Sequence, residues 1–191
     1  MMKDPSYCYK FYWLEAIVQL ITENKTEASY DEIINEMIAN AWYPVLEYHI
    51  HLSGLFGDGM IKDNLEKAVI KLRGLCEIPN NASKIEIKNQ IALYDEKLHA
   101  EKMELTKNVP YKALSGFANK GNEKISLDSS AGRIMAYYNM LSATSTPLPY
   151  TYGPESGLQR KLTFTKAWIQ MIQHNAVVIM GWIQYEKVKW L

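Results

Sequence analysis

Cysteine is scarce in this 191-residue chain: Cys8 and Cys76 are its only two, they lie in different segments, and no CxxC pair occurs. That excludes a disulfide framework or a cysteine-built zinc site, fits a reducing compartment, and predicts two buried thiols. Long apolar runs are missing too. The most apolar stretch, AVVIMGWI at 176–183, has eight residues, far short of the roughly 20 a helix needs to cross a bilayer. The first residues show no basic region followed by an apolar stretch and a small-residue cleavage site, so the chain reads as cytoplasmic, neither secreted nor membrane-spanning. Ten glycines and seven prolines are too few for a disordered or fibrous chain, and 48% hydrophobic with 22% charged residues is a globular composition. A chain of this length suits one domain or two small ones and can bury a core without disulfides or metals.

Recognisable chemistry is absent as well. His49, His51, His99 and His174 are the histidines, and none stands in an HExxH, an i,i+4 pair or a cysteine-rich setting. His49 and His51 would share one side only if VLEYHIHL at 45–52 were extended. No GxxxxGK[ST], GxGxxG or GxSxG occurs, and GLFGDG at 54–59 lacks a lysine to meet a phosphate, so it reads as a connector. The sequence therefore predicts no catalytic residues, no metal ligands and no cofactor.

Net charge is zero, yet residues 1–105 hold 11 Lys/Arg against 17 Asp/Glu and residues 106–191 hold 10 against 4. One consequence would be a basic surface that attracts a polyanion; the other, that the two halves attract each other. The basic half interleaves cations with Tyr111, Tyr137, Tyr138 and Trp168, as phosphate contacts and base stacking require. Lys112, Arg133, Arg160, Lys161 and Lys166 are the candidate nucleic-acid contacts. At helical spacing, though, Tyr137, Tyr138 and Trp168 are more often core than base platforms.

Periodicity predicts a mainly α protein, a multi-helix bundle with a long C-terminal helix and little or no sheet. A first helix is expected from about Tyr9 to Asn24. A second begins at a capping box of Ser29 and Glu32 and is expected to end or kink at Pro44. A third should run from Ile61 to Cys76, and a fourth should open at a second capping box, Ser83 with Glu86, and carry Ile87, Ile91, Tyr94 and Leu98 on one face. Beyond Pro110 come a polar linker at 119–124, a helix from Asp128 to Leu141 and a proline-rich loop at 144–157. A last helix from about Thr165 places Trp168, Met171, Ile172, Asn175, Ile179, Trp182 and Ile183 near one stripe, apolar enough to need a partner surface or a homodimer. The charge shift divides an acidic subdomain, 1–105, from a basic one, 106–191, expected to pack as one unit.

YKFYWLEAIVQLI at 9–21, IINEMIANAWYPVLEY at 33–48 and LTKNVPYKALSGF at 105–117 resemble the helical N-terminal region of a bacterial family of HNH endonucleases, and WIQYEKVKWL resembles the helix that precedes the nuclease module there. The resemblance implies a DNA-facing helical scaffold. It does not extend to catalysis, because no His–Asn–His constellation with flanking strands occurs and only 17 residues follow His174. The expected function is thus a non-catalytic DNA-associated recognition or scaffold domain. The alternative is a phage or mobile-element protein of the anti-CRISPR type, which would bind a nucleic-acid-binding nuclease through the acidic half, with Glu32 and Glu36 contributing.

Overall fold

The computed structural model describes residues 8–53, 55–107, 109–114, 130–144 and 148–189. The linker at 119–124, with Lys120 and Lys124, lies outside them, as do Asp128, residues 145–147 and Trp190.

Helix α1 (Tyr9–Thr22) is apolar around nearly its whole circumference, and Phe11, Trp13, Ala16, Ile17, Val18 and Ile21 are all buried. A helix of that kind must sit at the centre. It packs against α2 (Tyr30–Glu47) on one side and α8 (Lys166–Val188) on the other. Both predicted capping boxes form: Ser29 Oγ accepts from the Glu32 amide at 3.1 Å while the Glu32 carboxylate accepts from the Ser29 amide at 2.8 Å, and Ser83 with Glu86 repeats the arrangement at the start of α4 (Lys84–Leu93). Helix α3 (Asn64–Leu75) turns Leu65, Ala68, Val69 and Leu72 inward, against α2 and α5 (Asp95–Thr106). A four-residue helix, α6 (Val109–Lys112), and α7 (Ala131–Thr144) follow. The molecule is mainly α-helical, with a long C-terminal helix, as the periodicity predicts.

Three details differ from the sequence expectations. Pro44 does not end α2, because Val45 and Leu46 beyond it are buried and their burial offsets the lost backbone hydrogen bond. The fourth predicted helix is two, α4 and α5, separated at Tyr94 (φ −108°, ψ 21°), and the break lets Ile87, Ile91 and Leu98 all reach the core. The third concerns the proline-rich loop at 144–157, which is part strand, while the sheet it joins is as small as expected. Strands β1 (Glu27–Ser29), β2 (Tyr150–Tyr152) and β3 (Lys161–Phe164) form an antiparallel sheet in the order β1-β3-β2. The short strands escape a periodicity search, since each is only three or four residues long and is held by partners far away in sequence. The sheet joins the acidic and basic halves, and one buried cluster extends from Cys8 to Ile183.

Both cysteines are buried free thiols, and burial pushes the Cys8 thiol up to about 12. Among the described residues no helix is long and apolar enough to cross a membrane.

Candidate nucleic-acid interface

The polypeptide from β3 into α8 carries three of the five candidate cations within seven residues. Arg160 precedes β3, Lys161 is its first residue, and Lys166 opens α8. In β3 the alternation of the pleat buries Leu162 and Phe164 and leaves Lys161 exposed. Lys161 reaches across to β1, where its ammonium lies 2.6 Å from the Glu27 carboxylate. Arg160 is half-buried, and its guanidinium donates to the Gly153 carbonyl at 2.6 Å. It lines an open groove of about 380 Å³ with Met135, Asn139, Tyr152 and Pro154, between α7 and the turn after β2. Gly132 lines the same groove, and Arg133, the next residue of α7, is exposed.

Asn139 builds this groove and escapes a search for charges and rings. Its side-chain amide donates to the Tyr152 carbonyl at 2.9 Å and its oxygen accepts from the Tyr152 amide at 2.8 Å, so it pairs with β2 as a neighbouring strand would. At Gly153 the chain runs close to its neighbours: a Cβ there would displace the Glu155 carboxylate, 2.3 Å away, and press on the Lys161 carbonyl at 3.2 Å. Glu155 adds a negative charge beside Arg160 and Lys161. Backbone amides, its own and that of Lys161, hold its carboxyl below the ordinary range, so it remains ionised at neutral pH.

Lys112 is elsewhere. It lines a separate cavity of about 220 Å³ with Tyr9, Ser53, Lys62, Asp63 and Glu104, where cations and carboxylates mix. Asp63 caps α3 there, accepting from the amides of Leu65 at 2.7 Å and Glu66 at 3.1 Å. Burial raises its carboxyl above the ordinary value and outweighs those amide bonds, which lower it. A carboxyl whose folded pKa is raised contributes stability below its unfolded pKa of about 3.9 and loses it as pH rises through the folded value. Asp63→Asn keeps the capping oxygen and removes the buried charge. It is expected to be as stable as the parent or more so at pH 7 and to lose that advantage below about pH 4, whereas Asp63→Ala costs about 1–2 kcal/mol. Urea denaturation at the two pH values checks both; a loss above 1 kcal/mol for Asp63→Asn at pH 7 would show that the charge itself is needed.

The four rings interleaved with the candidate cations do not form a stacking surface. Tyr111, Tyr137 and Tyr138 are buried and Trp168 is half-buried, so the rings interleaved with cations in sequence point into the core. The histidines do not converge either. His49 is exposed in the left-handed region (φ 52°), and His51 pairs with the buried Glu66 at 2.6 Å. Among the described residues no three His, Cys, Asp or Glu side chains gather to hold a metal ion.

Charge pairing within the chain accounts for part of the asymmetry. In the basic half Lys161 and Lys187 pair with Glu27 and Glu15 of the acidic half, Lys107 pairs with Glu104, and Lys189 with Glu186. Lys112, Arg133, Arg160 and Lys166 make no ion pair among the described residues. The acidic side is more fully used by the fold. Glu36 is buried between Lys84 and Lys88; burial pushes its carboxyl up, but the two ammonium groups outweigh it and hold it below its ordinary value. Glu32 is committed to its capping box and to Lys25 at 2.6 Å.

Comparison of the chain with family models, with curated proteins and with solved structures returns no match.

Proposed function

We propose that this chain is a non-catalytic, cytoplasmic, DNA-associated recognition or scaffold domain of the type that stands ahead of HNH nuclease modules. The observation that carries the reading is the division of the basic half: Lys107, Lys161, Lys187 and Lys189 are taken up by carboxylates, while Arg133 and Lys166 are left without one among the described residues. Unpaired cations are what a phosphate backbone recruits, because each contact releases condensed counterions. The residues behind the HNH resemblance supply α1, α2 and the α5–α6 junction, which make up much of the core. That agrees with a scaffold role for them. For the inhibitor alternative Glu36 is a poor probe, being buried between Lys84 and Lys88, while Glu32, half-exposed in its capping box, can be reversed at a cost of about 1 kcal/mol.

Electrophoretic mobility of duplex DNA across a salt series tests the proposal. Changing Arg133 and Lys166 together to alanine is expected to lower the slope of log affinity against log salt by up to about two units, near 0.9 for each phosphate contact. Lys161→Ala should lower it less, since Lys161 must first leave Glu27. No shift of duplex or single-stranded DNA at low salt, with protein well above micromolar, would end the DNA reading.

A further inference from the structure

Between Lys166 and Glu186 helix α8 carries no Asp, Glu, Lys or Arg at all, although it lies on the molecular surface. One side of it packs along α1, with Ile172 and Ile183 buried and Trp168, Ile169, Ile179 and Met180 partly buried against the core, while Val178, Trp182 and Tyr185 stay 73%, 42% and 61% exposed. Met171, Val178, Trp182 and Tyr185 follow one another at spacings of seven, four and three, the 3.5-residue repeat of a helix seam that meets another helix. Beside that seam is a groove of about 190 Å³ lined only by Leu14 and Val18 of α1 and by Trp168, Met171, Ile172, Ile179 and Trp182 of α8.

The groove spans a kink in α8. Asn175 leaves helical geometry (φ −124°, ψ 16°), and its side-chain amide donates to the Met171 carbonyl at 2.8 Å, replacing a bond that the kink disturbs. Groove residues come from both sides of this bend. The same surface thus offers a ridge, Val178 and Tyr185, and a hollow that accepts aliphatic side chains.

We propose that this face joins two copies of the chain through an antiparallel, two-fold contact of α8 with α8, centred near Val178. Three features favour a second copy. A two-fold contact needs a self-complementary surface, and this one holds ridge and hollow side by side. Like charges facing each other across the axis would oppose pairing, and the face has none. The length also suits a self-contact: the uncharged stretch, residues 167–185, rises about 28 Å as a helix, enough for the Met171–Tyr185 seam to lie along its antiparallel copy over its whole span. Val178 lies midway between Met171 and Tyr185, so the axis brings it against its own copy.

Sedimentation equilibrium of the whole chain is expected to give a dimer with a micromolar dissociation constant, and Val178→Glu to raise that constant about 30-fold or more while leaving the helical circular dichroism intact. Val178→Cys, which keeps an uncharged side chain of similar size, is expected to form an interchain disulfide under mild oxidation, whereas Gly132→Cys on α7 does not. If Val178→Glu fails to fold, the cysteine variant decides alone. A wild-type monomer at 100-fold above micromolar concentration, a dimer indifferent to Val178→Glu, or no cross-link through Val178→Cys would each overturn the proposal.

Discussion

Glu15→Ala is expected to destabilise the fold by about 3–5 kcal/mol and to loosen α8 from α1. Glu15 and Lys187 are both buried, their charged atoms are 2.7 Å apart, and Gln184 donates to the other Glu15 oxygen at 2.6 Å. The Lys187 ammonium also lies 3.8 Å from the centre of the Tyr12 ring. Removing the carboxylate alone leaves that ammonium away from water with only an aromatic face to solvate it, and breaking a buried pair on one side costs this much. Replacing both partners, Glu15→Leu with Lys187→Met, removes two desolvation costs with the attraction and should return most or all of the stability. A urea double-mutant cycle measures it. A single-mutant loss below 1 kcal/mol, or a double mutant no better than the single, would contradict this account of how α8 is held.

Trp13→Ala is expected to cost a similar 3–5 kcal/mol, for a different reason. Trp13 is completely buried, edge-on to Tyr30 at 5.9 Å and to Tyr150 at 6.4 Å, and its indole donates to the Tyr150 hydroxyl at 3.2 Å. That hydroxyl in turn donates to the Pro110 carbonyl, which also accepts from Tyr152 at 3.0 Å, so both carbonyl lone pairs are used. Burial pushes the hydroxyls of Tyr150 and Tyr152 well above their ordinary value, which keeps them protonated and able to donate. The network connects α1 with β2 and α6. Trp13→Phe retains most of the apolar volume and gives up the donor, so it should lose about 1–2 kcal/mol, well under the alanine variant. Equal losses for the two would mean that packing contributes little beside the hydrogen bond.

The residues of these two predictions differ in how far the sequence discloses them. Trp13 stands on a periodic apolar face and is identifiable as core at once. Glu15 sits on the same helix and looks like a solvated charge, because nothing near it in sequence indicates that Lys187, 172 positions away, will be laid against it. The same distinction divides the candidate interface. Lys112, Arg133, Arg160, Lys161 and Lys166 are visible as a basic group, but only folding separates Lys112 into another cavity, occupies Lys161 with Glu27, sets Arg160 on the Gly153 carbonyl beside Glu155 and leaves Arg133 and Lys166 without an ion pair among the described residues. Asn139 has no sequence signal, since its role consists of two hydrogen bonds to one strand residue.

Local order in the chain decides the helices, their capping boxes and the inward faces of α1, α2 and α3, because these depend on interactions within three or four residues and on a 3.6-residue repeat. Composition likewise decides that the cysteines are free and that no described helix spans a membrane. Tertiary packing alone decides the β1-β3-β2 sheet, the persistence of α2 through Pro44, the break at Tyr94 and the kink at Asn175. In each of these a local preference is outweighed or completed by burial and hydrogen bonding from distant segments, and a free energy that arises only when those segments meet has no trace in the local pattern.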